Sequence, residues 1–295
     1  MVNTFAQLED ICTEKNKTIY EVAQNEAANQ NDTTIEHIRE FTKKSLQAMQ
    51  EAISTGIKSS ELSQSGMCGA DCRKVQDTFS KTQPVFGKLF EKILTYSLAT
   101  AEENIRMGKI VACPTAGSCG ILPSVLISIG EEYEKTEEEL INALITAGEI
   151  GKIIATKVSL AGAVAGCQAE CGAASAMSAA AACQLLGGSV GQILNAATLA
   201  LKNILGLTCD PVAGLVEVPC VKRNTFMGVH AITAAQLALC GVESKIPPDE
   251  VVEAMEQTGL LMSPTLKESS QAGLATTPTA LKIKQQVFGM VIPRI

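Results

Sequence analysis

Two thiols, two prolines and a cationic cluster crowd into one sixteen-residue stretch, CDPVAGLVEVPCVKRN at positions 209–224. Cys209 and Cys220 bracket an apolar run that closes on Lys222, Arg223 and Asn224. Metals are bound by thiolates, and a thiolate persists near neutral pH only beside positive charge, a metal or a helix N-terminus. A third thiol, Cys167, stands in the Gly-rich AGAVAGCQAECG, ahead of an Ala-rich helix expected over 172–187. The chain has 11 cysteines, an odd number, and its first residues mix charge into an apolar pattern with no signal-peptide core. A disulfide framework is therefore not expected. In a reducing compartment such thiols are small buried hydrophobes or metal ligands. The C-x-x-C pairs of zinc ribbons are absent, and Cys68-x3-Cys72 and Cys167-x3-Cys171 come nearest. Widely spaced cysteines can also hold an iron–sulfur cluster if the fold gathers them. Spacing alone leaves zinc, a cluster and inert core thiols all open.

Three further groups could do chemistry. Thr115, Ala116, Gly117 and Ser118 lie in the turn PTAGSCG, which opens an apolar helix; its N–H groups and hydroxyls suit a carboxylate or phosphate. It lacks the lysine of a nucleotide P-loop, and an ordinary helix cap explains it equally well. Ser65, Gly66 and Asp71 belong to a small-residue turn that could orient an ammonium group or simply be a capped surface turn. Lys222 and Arg223 read as solvated cations or as counter-charge to an anionic group near Cys220. His230 sits on an apolar helix and His37 on a charged one, where structural roles are commoner than catalysis.

The elements that must carry these residues are helices. Thr136-Glu137-Glu138-Glu139 is a capping box before Leu140, Ile141, Leu144 and Ile145 on one face. Ser189 starts a second apolar periodicity stopped by Gly206, Thr225 a third that ends at Gly241, and Pro247-Pro248-Asp249 a fourth that closes at Gly259. The first sixty residues read as two or three amphipathic helices. Strand patterns are scarce, so a mainly α fold is expected, one helical domain over 1–295 with its site on loops. Residues 206–224 would be a proline-stiffened connection between helices. Net charge −7 and 3% aromatics disfavour a nucleic-acid or anionic-membrane partner. The apolar tract 159–186 carries Gln168 and Glu170 and reads as a buried helix pair, not a membrane span, which points to a cytoplasmic protein.

With these residues assembled, the chain resembles the α chain of the iron–sulfur-dependent L-serine dehydratases. The likeness rests on CPTAGS at 113–118, AGxxxGCQAE at 161–170, the long run from Leu201 to Asn224, and GLATTPT at 273–279. The resemblance implies a [4Fe–4S] cluster held by Cys167, Cys209 and Cys220, with the other eight cysteines outside the ligand set. It implies loss of water and ammonia from L-serine to give pyruvate. Thr115 to Ser118 would cradle the substrate carboxylate, Ser65, Gly66 and Asp71 would border the pocket, and Arg223 and Asn224 would line it. Lys222 and Glu170 are the candidates for the base, unless a partner supplies it. The family joins this region to a β region. None precedes it here, so a separate β chain is expected; the end VFGMVIPRI lacks the terminal cysteine of some members. A lyase for L-threonine or L-cysteine and a non-catalytic iron–sulfur redox sensor are the alternative readings.

Overall fold

Thr4, Thr18 and Thr34 each precede a helix, because a threonine oxygen can accept the N–H groups that a first turn leaves unpaired. They open α1 (Phe5–Glu14), α2 (Ile19–Gln30) and α3 (Ile35–Lys58). The computed structural model describes residues 2–289, and the carboxy-terminal reading of residues 290–295 lies outside them. Then follow α4 (Asp71–Phe79), α5 (Gly87–Ile105), α6 (Ile121–Glu132) and α7 (Glu137–Ala155). The short α8 (Gly162–Ala165) leads into α9 (Cys167–Leu185), α10 (Val190–Lys202), α11 (Cys220–Leu239), α12 (Pro248–Leu261) and α13 (Pro278–Phe288). Among the described residues extended pairing is limited to two isolated bridges, so the mainly α expectation holds.

The capping boxes at Thr136 and Ser189 are present as read, each with the reciprocal bond from Glu139 or Gln192. Helix α9 is the axis of the fold. All of its nineteen residues except Glu170 and Gln184 are buried, because α6, α7, α10 and α11 pack around it. Alanine, glycine and serine let those neighbours approach closely, which explains a helix apolar on every side that is not a membrane span. Among the described residues no helix is long and apolar enough to cross a membrane. One apolar core runs from Val2 to Met255.

Two helix starts differ from the sequence reading. Helix α9 begins at Cys167, not near 172, because Gly166 takes φ +78° and turns the chain directly into the helix. An added Cβ there would come within 2.7 Å of the Met262 sulfur and 3.0 Å of Leu207 O, so only glycine fits. Helix α11 begins at Cys220 after Pro219, not at Thr225. Lys222, Arg223 and Asn224 are thus first-turn helical residues. The loop-borne site of the sequence reading becomes one with two thiols at helix N-termini and only Cys209 on irregular backbone.

Candidate active site

The amino end of α9 is where the sulfur collects. Cys167 and Cys171 are one turn apart, so their side chains share a face. Both are buried, as are Cys209 and Cys220. Cys167, Cys171 and Cys209 lie in one small apolar cluster with Ile121 and Ala174. Hydrogen bonds from Cys171 and Cys209 hold the Cys167 thiol far below the usual range, at about 3, against the effect of burial, and the Arg223 guanidinium adds to them. The donors pay in the opposite direction: Cys171 and Cys209 are driven up, first by giving their protons to Cys167 and then by burial. Burial, with the charges of Cys167 and Glu170, pushes Cys220 up to about 12. Cys220 therefore faces the same group of charges.

Glu170 is the carboxylate of this group. Burial and the Cys167 charge raise it to about 7, and its Oε2 lies 3.7 Å from Cys167 Sγ. Its other oxygen accepts a short hydrogen bond from Thr115 Oγ1. Gly117 and Gly162 keep room for it: a Cβ at Gly117 would come 2.5 Å from Glu170 Oε1. At Gly162 it would lie 2.9 Å from Cys209 Sγ and 3.3 Å from Glu170 Oε2.

Cys209 is fixed through its backbone. Its N–H donates to Leu266 O at 2.8 Å, and its carbonyl accepts Glu268 N–H at 2.7 Å. The neighbouring Asp210, also buried, accepts Leu274 N–H at 2.8 Å and faces Arg223 Nη2 at 3.4 Å. Arg223 donates as well to Thr208 O at 2.9 Å. The GLATT segment thus anchors a thiol it does not contain.

The remaining sequence candidates divide into three roles. Asn224 is 1% exposed. It accepts from Gly120 N at 2.9 Å and donates to Gly117 O at 2.7 Å and Cys220 O at 2.8 Å. Its amide ties the turn 117–120 to the start of α11, with both N–H donors engaged. Ser118 is fully buried, its hydroxyl 3.0 Å from Thr115 Oγ1, so it braces the turn from inside. Ser65 donates to both carboxylate oxygens of the buried Glu217 at 2.8 Å, and Ser63 donates at 2.6 Å. Ser65, Ala116, Val216 and Glu217 line one cleft of about 570 Å³, which joins the two turns read separately from sequence. Gly66 is exposed beside it. Asp71 and Lys222 form a second pair at 2.5 Å, with Lys222 Nζ 3.6 Å from Cys68 Sγ. His230 is bound to Ala200 O at 2.7 Å, a structural contact.

Sequence reasoning missed Cys171, Glu217, Asp210 and the segment 266–274. The i,i+4 spacing of Cys167 and Cys171 was visible, but the pair was read as a turn. Nothing local announces that residues 266–268 lie against Cys209.

Buried thiols, one guanidinium and two helix N-termini make a soft, electropositive donor set. This fits a thiolate-held iron–sulfur group and not a hard oxygen-bound cation. Two buried thiols and a half-buried carboxylate on one helix form a group that could hold a metal ion. The chain belongs to the family described as serine dehydratase alpha chain, whose family model matches residues 14–275. It is 40% identical over 289 residues to the probable L-serine dehydratase, alpha chain, of Bacillus subtilis, covering 98% of this chain and 96% of that one. It is 39% identical over 285 residues to the L-serine dehydratase, alpha chain, of Peptoniphilus asaccharolyticus, covering 97% and 98%. The L-serine dehydratase of Helicobacter pylori (strain 26695) is 36% identical over 92% of this chain, but the match takes up only 60% of that longer protein.

Proposed function

We propose that this chain is the α chain of an L-serine dehydratase, a cytoplasmic lyase that converts L-serine to pyruvate and ammonia. The observation that carries the reading is the near full-length likeness to two proteins named as such α chains, joined to a buried thiol group beside a polar turn. Cys167, Cys209 and Cys220 would hold a [4Fe–4S] cluster. Held by these three thiolates, the cluster would supply Lewis-acid chemistry for the departing C3 hydroxyl.

The chain's own residues do the rest. Thr115, Ala116 and Gly117 present the edge of the turn to the substrate carboxylate, while Ser118 and Asn224 hold that turn in shape. Glu170, fixed by Thr115 and adjacent to the thiols, is the better-placed base for the Cα proton; Lys222 is committed to Asp71. Loss of that proton and of hydroxide gives aminoacrylate, which hydrolyses in water to pyruvate and ammonia. Arg223, beside Cys167, offsets the negative charge of the thiolates. Ser65, Gly66 and Asp71 border the pocket through the cleft shared with Ala116.

A separate β chain completes the enzyme. Support for it comes from the word "alpha" in the names of relatives of equal length and from the longer H. pylori relative, which carries further sequence on the same polypeptide. The test is anaerobic reconstitution with iron and sulfide, metal counting, and a pyruvate assay with and without a candidate β chain. Serine, threonine and cysteine are compared by kcat/KM. About four irons per chain and pyruvate from serine are expected. A preparation that assembles the cluster with its β chain and forms no pyruvate refutes the reading.

A further inference from the structure

Cys167, Glu170 and Cys171 stand out apart from any cluster. One ligand atom from each, two sulfurs and a carboxylate oxygen, all lie within 4.8 Å of one another. A tetrahedral zinc ion sits about 2.3 Å from sulfur and about 2.0–2.2 Å from carboxylate oxygen, so its ligand atoms lie about 3.5–3.8 Å apart, and small side-chain rotations would bring these three to that spacing. The three donors come from the first turn and a quarter of a single helix, and a helix is rigid over that length.

We infer that Cys167, Glu170 and Cys171, with solvent completing the shell, form a single-ion site for a thiophilic divalent cation such as zinc, occupied when the cluster is absent. Binding exchanges protons for metal: each coordinating thiol loses one proton to solvent as its sulfur bonds the ion, and nothing is oxidised or reduced. The two sites overlap at Cys167. Cys171 belongs to the ion site and not to the proposed cluster set; Cys209 and Cys220 belong to the cluster set and not to the ion site. Zinc and the cluster are thus mutually exclusive occupants, and zinc holds the chain in a form unable to accept iron and sulfide.

The metal site stands independently of the serine reading, and its test separates the two. The cluster-free full chain is titrated anaerobically with Co²⁺, a spectroscopic substitute for zinc, and then with Zn²⁺ in competition. Wild type should bind one cobalt with thiolate-to-cobalt charge-transfer absorption, and zinc should abolish that absorption. Cys171→Ala and Cys171→Ser should each weaken cobalt binding by more than about 100-fold, beyond the roughly 10–100-fold that loss of an outer-sphere partner costs, yet take up iron and sulfide like wild type. Cys220→Ala should do the reverse. Circular dichroism of each metal-free variant confirms that α9 is folded; two Cys171 replacements guard against a packing artefact of either one. Absence of thiolate–cobalt absorption in wild type overturns the inference. So do cobalt binding unchanged in both Cys171 variants, and loss of iron uptake in them, which would make Cys171 a cluster ligand.

Discussion

Replacing Asn224 by alanine should destabilise the chain more than any other single change near the site. The side chain is 1% exposed and makes three hydrogen bonds across two elements. Cys220 O still has its own helical partner one turn on, so its loss counts little. Gly120 N–H has no such reserve and is left buried and unpaired, while Gly117 O, on a half-buried residue, can turn to water. The orphaned N–H costs about 1–3 kcal/mol. Against a total stability of about 5–15 kcal/mol, that is a sizeable share. At about 2 °C per kcal/mol for a chain of this size, thermal unfolding should fall by roughly 2–6 °C. Asn224→Asp should suffer similarly: one oxygen can still accept from Gly120, but the other faces two carbonyls with no proton to offer. The assay is urea and thermal unfolding of the cluster-free chain, followed by iron counting after reconstitution. An Asn224→Ala chain within about 0.5 kcal/mol of wild type, the range of an ordinary surface change, would refute the clamp.

Other changes probe the remaining contacts. Thr115→Val removes the hydroxyl that binds Glu170 and should lower kcat/KM for serine by about tenfold or more, as expected for a hydrogen bond to a charged group, with iron content unaltered. Gly162→Ala puts a methyl group 2.9 Å from Cys209 Sγ; iron uptake should drop while the urea midpoint moves little, and undiminished iron would contradict the tight approach. Burial alone would raise Asp71, but hydrogen bonds from Lys222 and Lys74 outweigh it and hold its carboxyl below the ordinary value. Its contribution to stability is therefore present above about pH 4 and lost as pH falls through its lowered pKa. Asp71→Asn should flatten that acid limb, seen by unfolding at pH 3 to 6. Stripping the cofactor should leave the far-ultraviolet helical signal almost intact, since the main core from Val2 to Met255 contains none of the thiols of residues 167, 209 and 220.

How far the chain could be read in advance depended on whether the deciding interactions were local. Helix existence is local: Thr136, Ser189 and the periodic apolar faces after them fix α7 and α10 within a few residues. Helix starts at the site were not local. Thr225 offers the better cap, yet Pro219 and the Asn224 clamp begin α11 five residues earlier. The thiols of the Cys209–Cys220 stretch stood out by type and spacing, and Glu170 by being a charge in an Ala-rich tract. Asn224 stood out as a polar residue beside two cations, but its three backbone partners could not be read from its neighbours in sequence. Glu217 gave no signal, since its serine partners lie some 150 positions away.

The fastening of Cys209 by Leu266, Glu268 and, through Asp210, Leu274 has a consequence for biosynthesis. A nascent chain can bury α9 against α6 and α7 well before residues 266–274 leave the ribosome. Until they do, the thiol at 209 has no fixed position. Any metal centre that uses this thiol would then have to be installed in a finished polypeptide whose helices are already in place, and a ribosome stalled short of residue 266 would yield a folded body in which Cys209 is not held.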